Sequence, residues 1–544
     1  MTGNGMVWCV PLETDRALVY APFHGITGLV NRQTVESLRQ CLGAVVSSLP
    51  VELLSFTPLL SEPNRPGKRT GRPAPLYLGL IPTGGCSLGC LYCDFPSLNK
   101  SRVMSFDTIT RAIDGYAVLM RKASVREWNI HFFGGEPFSA FQEVVFALNY
   151  ARMRASAAGI PVHFEVTTNG YYPGEKARWI AENFDTVVLS FDGFPESQNF
   201  QRPAPGGRGS FEIVCRNADI FARGSCELII RSCVSSVNVS EMSRWAAFIA
   251  RRFFPSAVVL EPMIESPLAR KNGLKPPETA AYLHGWTAAY RILRKEGIPL
   301  VCSSGEISAL KTSLCPFGQD AVIVAPDGTA GGCWQLAQNA SVSGIDLRFG
   351  RVSGEGLWLD QAALDRQRSL SEANRERCRD CFCYAHCAGG CLLNHEKDSG
   401  FCLVTRALTL WQLLERMGYG TAADDLLADE AFLTLLEKTI DFSLSGRELP
   451  SGRKASRIWD EGSAPAQAEF PLDYVHIPAP PGDSRRGWIR DGSKIFLMDL
   501  DEDFVKVLEG DAAVRFLIEH SGLAPEEISV VCHALDEQAA KWRI

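Results

Sequence analysis

Three cysteines within eight residues, Cys86-x3-Cys90-x2-Cys93, constrain this chain more than any other feature. A loop that short presents three sulfurs but no fourth, and three thiolates so close bind iron or zinc. A structural zinc site wants four ligands in two pairs. A three-thiolate [4Fe–4S] cluster instead leaves one iron open for an outside ligand. A second zone holds Cys315, Cys333, Cys378, Cys381, Cys387, Cys391 and Cys402, so the two zones take ten of the eighteen cysteines. The opening MTGNGMVWCVPLETDR lacks a charged region followed by an apolar one, so no secretory signal and a cytoplasmic location are expected. Disulfides are disfavoured in that compartment, which leaves metal binding as the leading use of the thiols.

Composition narrows the class. With 46% apolar and 22% charged residues the chain is globular rather than disordered. Its 544 residues suggest two to four domains. A net charge of −7 gives no footprint for nucleic acid, and no apolar run approaches the length of a membrane span.

From residue 76 strands and helices alternate. Strands are expected at Leu76–Ile81, Trp128–Phe133, Val162–Thr167, Thr186–Phe191, Glu227–Val234 and Ala257–Met263. The intervening helices begin at one capped by Ser105, with Ile109, Ile113, Ala117 and Met120 on one face. The rest are Phe138–Ala157, Glu175–Asn183, Phe211–Ala222, Val239–Phe253 and Thr279–Lys295. Six such pairs with apolar strands argue a parallel sheet covered by helices, too few for a closed eightfold barrel. The first cysteine group then falls in the loop after the first strand, at the end of the sheet where such folds do chemistry.

Four motifs in strand order carry a resemblance to the radical S-adenosylmethionine (radical SAM) superfamily. They are the cysteine loop with Tyr92 as its aromatic, Gly134-Gly135-Glu136-Pro137, Thr167-Thr168-Asn169-Gly170, and Leu189-Ser190-Phe191-Asp192-Gly193. The resemblance implies a partial (β/α)6 TIM-like barrel and a [4Fe–4S] cluster on Cys86, Cys90 and Cys93. It implies that the open iron chelates S-adenosylmethionine, which is split to a 5′-deoxyadenosyl radical that takes a substrate hydrogen. It implies cofactor contacts at Tyr92, Gly134, Gly135, Glu136, Pro137, Asn169, Ser190, Asp192 and Arg202.

The second zone reads Cys315-x12-Gly328-x4-Cys333, Cys378-x2-Cys381-x5-Cys387-x3-Cys391, then Cys402. It resembles the SPASM domain, the auxiliary-cluster extension of peptide-modifying radical enzymes. That likeness assigns Cys378, Cys381, Cys387 and Cys402 to one auxiliary [4Fe–4S] cluster. It assigns Cys315, Cys333 and Cys391 to another, with Cys302 as candidate fourth ligand or an open iron. Cys383 reads as a bystander, and a zinc ribbon is the plain alternative for the whole zone. Three clusters are expected in all.

Sulfatase maturases, one branch of this class, carry an Asp after the cysteine matching Cys333. Here that position is Trp334, which argues against sulfatase maturation. The expected function is maturation of a ribosomally made precursor peptide, through a crosslink of thioether, C–C or C–O type. Oxidation or cleavage of a protein side chain is the runner-up, and a non-catalytic iron–sulfur scaffold a third reading. A reducing partner such as a flavodoxin or ferredoxin is implied; nucleic acid and membrane are not.

The expected domains are an N-terminal accessory or peptide-recognition segment with linker (1–73), the radical SAM barrel (74–298), and the SPASM region with trailing helices at Thr405–Met417 and Asp424–Thr439 (299–443). A linker (444–484) and a C-terminal accessory domain (485–544) follow. In the first segment Ala17–Tyr20 and Thr27–Val30 suit hairpin strands, and Thr34–Leu42 a helix. The stretch SEPNRPGKRTGRPAP carries Arg65, Lys68, Arg69 and Arg72, and reads as a solvated tether or a docking strip for an acidic peptide. In the last segment a strand is expected at Lys494–Met498, with helices near Phe504–Leu508 and Ala513–His520.

Overall fold

The structure is a computed structural model. It describes residues 6–13, 15–43, 51–71, 73–93, 95, 102–337, 341–393, 399–439 and 441–444, with backbone strands at 486–491, 494–499 and 504–509. The chain divides into two compact units, Met1–Ser456 and Arg457–Ile544.

The first unit opens with a three-stranded antiparallel sheet, β1 (Trp8–Glu13), β2 (Arg16–Ala21) and β3 (Ile26–Asn31), followed by α1 (Arg32–Gly43). Every residue of β1 is buried, so this strand is covered on both faces, while β3 is largely half-exposed. Its β1 edge is tied down by backbone bonds from Cys9 to Phe442 and from Leu444 to Val7. Trp8 donates to the Arg379 carbonyl, and Tyr20 hydrogen-bonds His386. The segment is therefore packed into the cysteine-rich region. Among the described residues nothing pairs with the outer edge of β3.

The alternation then runs as the apolar periodicity predicts. It comprises β4 (Leu78–Leu80), α2 (Phe106–Lys122), β5 (Trp128–Phe132), α3 (Phe141–Ala158), β6 (Val162–Thr168), α4 (Gly174–Asn183) and β7 (Thr186–Ser190). It continues through α5 (Pro195–Gln201), α6 (Phe211–Ala222), β8 (Glu227–Val234), α7 (Met242–Arg252), β9 (Ala257–Pro262), α8 (Pro267–Lys271) and α9 (Thr279–Lys295). Ser105 caps α2, its hydroxyl accepting from Thr108 N at 3.1 Å. The short helices α5 and α8 go beyond the expectation, because one or two turns show no measurable period.

The six strands lie in one parallel sheet, extended by a short parallel strand on each flank. β10 (Leu300–Val301) adds beside β9, and β11 (Val322–Val324) beside β4. Beyond β11 the sheet turns antiparallel through β12 (Thr329–Gly331). A small hairpin of β13 (Ser341–Val342) and β14 (Ile345–Asp346) comes next. Then β15 (Arg348–Ser353) and β16 (Gly356–Leu359) complete the large sheet. Strands of two or three residues are too short to read from alternation. They nonetheless join the cysteine-rich region to the barrel as one sheet.

Helices α10 (Gln361–Glu376), α11 (Tyr384–Cys387), α12 (Ser399–Arg416), α13 (Gly420–Leu427) and α14 (Glu430–Lys438) follow. The single helix expected over 424–439 is thus two. Asp429 breaks it, because its carboxylate caps the amides of Ala431 and Phe432. In the second unit β17 (Arg486–Asp491), β18 (Lys494–Asp499) and β19 (Phe504–Glu509) form an antiparallel sheet. The helix expected near Phe504–Leu508 is a strand, as two valines in a six-residue run favour. The helix expected at 513–520 lies outside the described residues.

Candidate active site

Both flanks of the cysteine loop are pinned. On one side Glu136 N donates to the Gly85 carbonyl at 2.8 Å and Gly135 N to that of Thr83 at 3.2 Å. On the other, Gly89 N donates to Pro203 O and Leu91 N to Gln201 O, both at 2.9 Å. The Gly134-Gly135 pair is therefore a packing requirement of the loop. A Cβ on Gly135 would stand 2.2 Å from the Gly85 carbonyl oxygen, and Gly134 has φ +144°, which side chains rarely adopt. Pro137 then starts a buried turn leading to α3.

Two polar side chains reach the sulfurs, one from a strand end and one from a helix end. After β6, Asn169 Nδ2 lies 3.1 Å from Ser87 Oγ and 3.5 Å from Cys86 Sγ. Its backbone is set by Glu136, whose buried carboxylate accepts from Asn169 N (2.7 Å), Thr168 Oγ1 (2.9 Å) and Phe138 N (3.2 Å). Burial lifts the Glu136 pKa to about 7. After α5, Arg202 Nη1 stands 3.9 Å from Cys90 Sγ. Its Nε donates to Asp192 Oδ2 at 2.7 Å, and its guanidinium lies over the Tyr92 ring.

Asp192, expected to meet the cofactor, has a fully buried carboxylate held by protein groups. Oδ2 receives Tyr92 Oη at 2.6 Å and Arg202, and Oδ1 receives the Cys233 amide at 2.9 Å. A charge this deep requires such partners. Asp192 and Tyr92 stand behind Arg202 as its brace. Ser190 ends β7, half-buried, opposite Arg231 of β8.

The loop thiols sense one another. Burial, with Glu136 and Cys93 adding, pushes Cys86 up to about 11. Burial and the other two thiols push Cys90 up to about 12 against the opposing pull of Arg202.

The second zone resolves into two groups. Cys378, Cys381, Cys387 and Cys402 line one small cavity. Cys383 lines the same cavity as a fifth thiol. Its hydrogen bond to Cys381, with Arg406 nearby, holds Cys381 below the usual thiol range. Cys333 is lifted to about 12 by burial, with Cys315 and Cys391 adding to the rise. Cys302, the candidate fourth ligand, lies buried beside Glu261 (3.9 Å) and Ser304 (3.9 Å), just after β10. Among the described residues no three His, Cys, Asp or Glu side chains gather tightly enough to hold a single metal ion. Thiolates on a four-iron cluster each take a different iron and need no common centre.

Sequence reasoning missed the inner face of β4–β6. Trp334 packs onto Gly79, where a Cβ would meet its ring at 2.7 Å, and lies 5.1 Å from the Phe133 ring. Tyr77 stacks on His131 at 4.1 Å, and His131 Nδ1 is 3.5 Å from Glu165 Oε1. Burial, helped by His163, lowers His131 to about 4, while burial raises Glu165. A neutral imidazole beside such a carboxyl can take up a proton and hand it on. The period-two burial of β5, at Trp128, Ile130 and Phe132, already places His131 on the opposite face.

Three thiols on one loop with no fourth, and an amide and a guanidinium turned to two of them, fit a cluster with an open iron. Residues 80–239 match the model of the Radical SAM superfamily. This chain carries a radical SAM domain. Radical SAM domains bind S-adenosylmethionine and a [4Fe–4S] cluster, on an α/β partial barrel like the one described. A cysteine-type anaerobic sulfatase-maturating enzyme of Clostridium perfringens is 28% identical over 218 residues. That match covers 38% of this chain and spans 58% of the relative's length. A serine-type counterpart from Klebsiella aerogenes is 24% identical over 360 residues, 61% of this chain and 82% of the relative. Among solved structures, anSMEcpe with bound AdoMet and the Cp18Cys peptide shares 18% identity, covers 64% of this chain and 99% of its own, and has a TM-score of 0.49. Streptococcus suis SuiB bound to precursor peptide SuiA shares 13% identity, covers 73% of this chain and 96% of its own, and has a TM-score of 0.42. No helix among the described residues is long and apolar enough to cross a membrane.

Proposed function

We propose that this chain is a cytoplasmic radical SAM/SPASM maturase that abstracts hydrogen from a ribosomally made peptide and forms a crosslink of thioether, C–C or C–O type. The observation that carries the reading is the approach of Asn169 Nδ2 and Arg202 Nη1 to the sulfurs of Cys86 and Cys90. When bound, the cluster and S-adenosylmethionine supply one-electron bond cleavage and hydrogen abstraction.

The residues of this chain do the holding. Cys86, Cys90 and Cys93 take the first cluster. Asn169 and Arg202 donate towards two of the thiolates, which tunes their basicity. Cys378, Cys381, Cys387 and Cys402 take an auxiliary cluster in the cavity they share, and Cys315, Cys333 and Cys391 take another. Trp334 and Phe133 keep water from the side of the first cluster, since Cys93 packs against their apolar group. A flavodoxin or ferredoxin supplies electrons.

Oxidation of a protein side chain is the second reading, favoured by the sulfatase-maturating relatives. Trp334 speaks against it, because an indole cannot act as the base that an Asp supplies there.

Anaerobic incubation with dithionite and S-adenosylmethionine tests the chemistry. 5′-Deoxyadenosine should form with the wild type and not with Cys86→Ala; equal background levels overturn the reading. A peptide encoded beside the gene and co-expressed should lose two hydrogens by mass spectrometry. Iron should approach about twelve atoms per chain if all three clusters hold four irons. About four, with stoichiometric zinc, would remove the auxiliary clusters from the reading.

A further inference from the structure

The basic stretch before β4 is no free tether. Gly71 O accepts from Arg368 Nη1 and from Gln361 Nε2, both at 2.8 Å, and Lys68 pairs with Glu372. These bonds lay the strap along α10. Between strap and helix opens a cavity of about 950 Å³.

Its charge is lopsided. Six basic side chains line it against three acidic ones, Asp365, Glu372 and Glu376. Three of the six are already matched. Lys68 has Glu372, Arg368 has Asp320 and Asp365, and Arg69 stands 4.0 Å from Asp320. Glu376 accepts from the Tyr384 hydroxyl. The other three, Arg65, Arg375 and Arg379, enter no ion pair among the described residues.

Two of these three rest on aromatic faces. Arg375 lies over Tyr384 at 4.2 Å and Arg65 over Phe23 at 5.7 Å. The Nε of Arg375 is buried with no hydrogen-bond partner. Burial pushes the Arg375 pKa down, against the opposing pull of Tyr384 and Glu376, with Arg65 adding to the fall. Arg375 is half-buried, and its unpartnered Nε is relieved when an anion completes the guanidinium, while Arg65 and Arg379 are exposed and free to close on the same anion.

We propose that this cavity binds an acidic peptide segment, whose carboxylates are taken by Arg65, Arg375 and Arg379. Planar guanidinium groups suit bidentate capture of carboxylates. Met6, Pro66 and Tyr384 add apolar wall for the stems of Asp and Glu side chains. An extended polyanion such as nucleic acid fits less well, since the chain as a whole carries −7 and offers no continuous basic track. That the segment belongs to the substrate rests on the function proposed above. The binding itself does not.

The full-length chain with reconstituted clusters is titrated anaerobically into a fluorescein-labelled hexaglutamate peptide, and anisotropy is read. Hexaglutamate should bind, and hexaglutamine should not. The double variant Arg375→Glu/Arg379→Glu should weaken binding by at least about tenfold, with added salt weakening the wild type alone. Arg379→Gln, on an exposed side chain, replaces the double variant if its melting temperature falls, and should weaken binding several-fold. Equal affinity of wild type and variants overturns the site. So does competition by a thymidine hexanucleotide or inorganic phosphate as strong as that by unlabelled hexaglutamate. No turnover is needed, so an active enzyme that fails to bind hexaglutamate refutes this site alone. An inactive enzyme that binds it refutes the proposed chemistry alone.

Discussion

Arg202 and Asp192 form a buried ion pair at 2.7 Å, and the same guanidinium turns its free nitrogen towards Cys90. The pair links the fourth strand of the barrel to the cysteine loop through one charged side chain. Asp192→Asn leaves Arg202 buried without its counter-charge. Removing one partner of a buried pair costs about 3–5 kcal/mol. The urea midpoint should fall accordingly, and S-adenosylmethionine binding by equilibrium dialysis should weaken. An unchanged midpoint would mean that the pair contributes nothing to holding the loop.

Gly135→Ala places a methyl group 2.2 Å from the Gly85 carbonyl oxygen. Backbone cannot yield as a flexible side chain does, so the cysteine loop must shift. Overpacking of this kind costs about 1–3 kcal/mol. The expected result is a modest loss of thermal stability with a much larger loss of 5′-deoxyadenosine formation. Wild-type cleavage in this variant would show that the loop tolerates displacement.

His131 governs a pH dependence. Its pKa falls from 6.5 to about 4 on folding, chiefly through burial. The unfolded chain therefore binds a proton between those values that the folded chain refuses. This contribution to stability is fully present above pH 6.5 and is lost as pH falls towards 4. His131→Phe keeps the stacking on Tyr77 and removes the proton site. Its melting temperature should vary less than that of the wild type across this window. Parallel curves for the two proteins would remove His131 from the account.

The two cysteine zones should divide the labour. Cys86→Ala abolishes cofactor cleavage, because the first cluster loses a ligand. Cys378→Ala, in the separate cavity, should leave 5′-deoxyadenosine formation intact while product mass shifts disappear. Equal loss of cleavage in both variants would show that the zones are not independent.

Much of the architecture was legible because burial imposes a period. The strands of the parallel sheet, the cap at Ser105 and the bounds of α9 follow from apolar spacing and turn chemistry that act over a few residues. Local chemistry also explains the failures. Asp429 stops one helix and starts another, and a six-residue run at Phe504–Glu509 is too short for its period to separate strand from helix.

The sequence by itself determined the three-cysteine loop and its place after the first parallel strand, since each is a matter of spacing along the chain, while the division of the later cysteines into two groups came from resemblance to a family. Only the tertiary structure decided which groups meet. Tyr92 and Asp192 touch across 100 residues, and Cys302 is buried beside Glu261, 41 residues earlier in the chain. The basic strap folds onto a helix about 300 residues later in the chain. Contacts at such separation depend on how the elements pack, and packing follows from the shape of the whole buried surface, which no local pattern encodes.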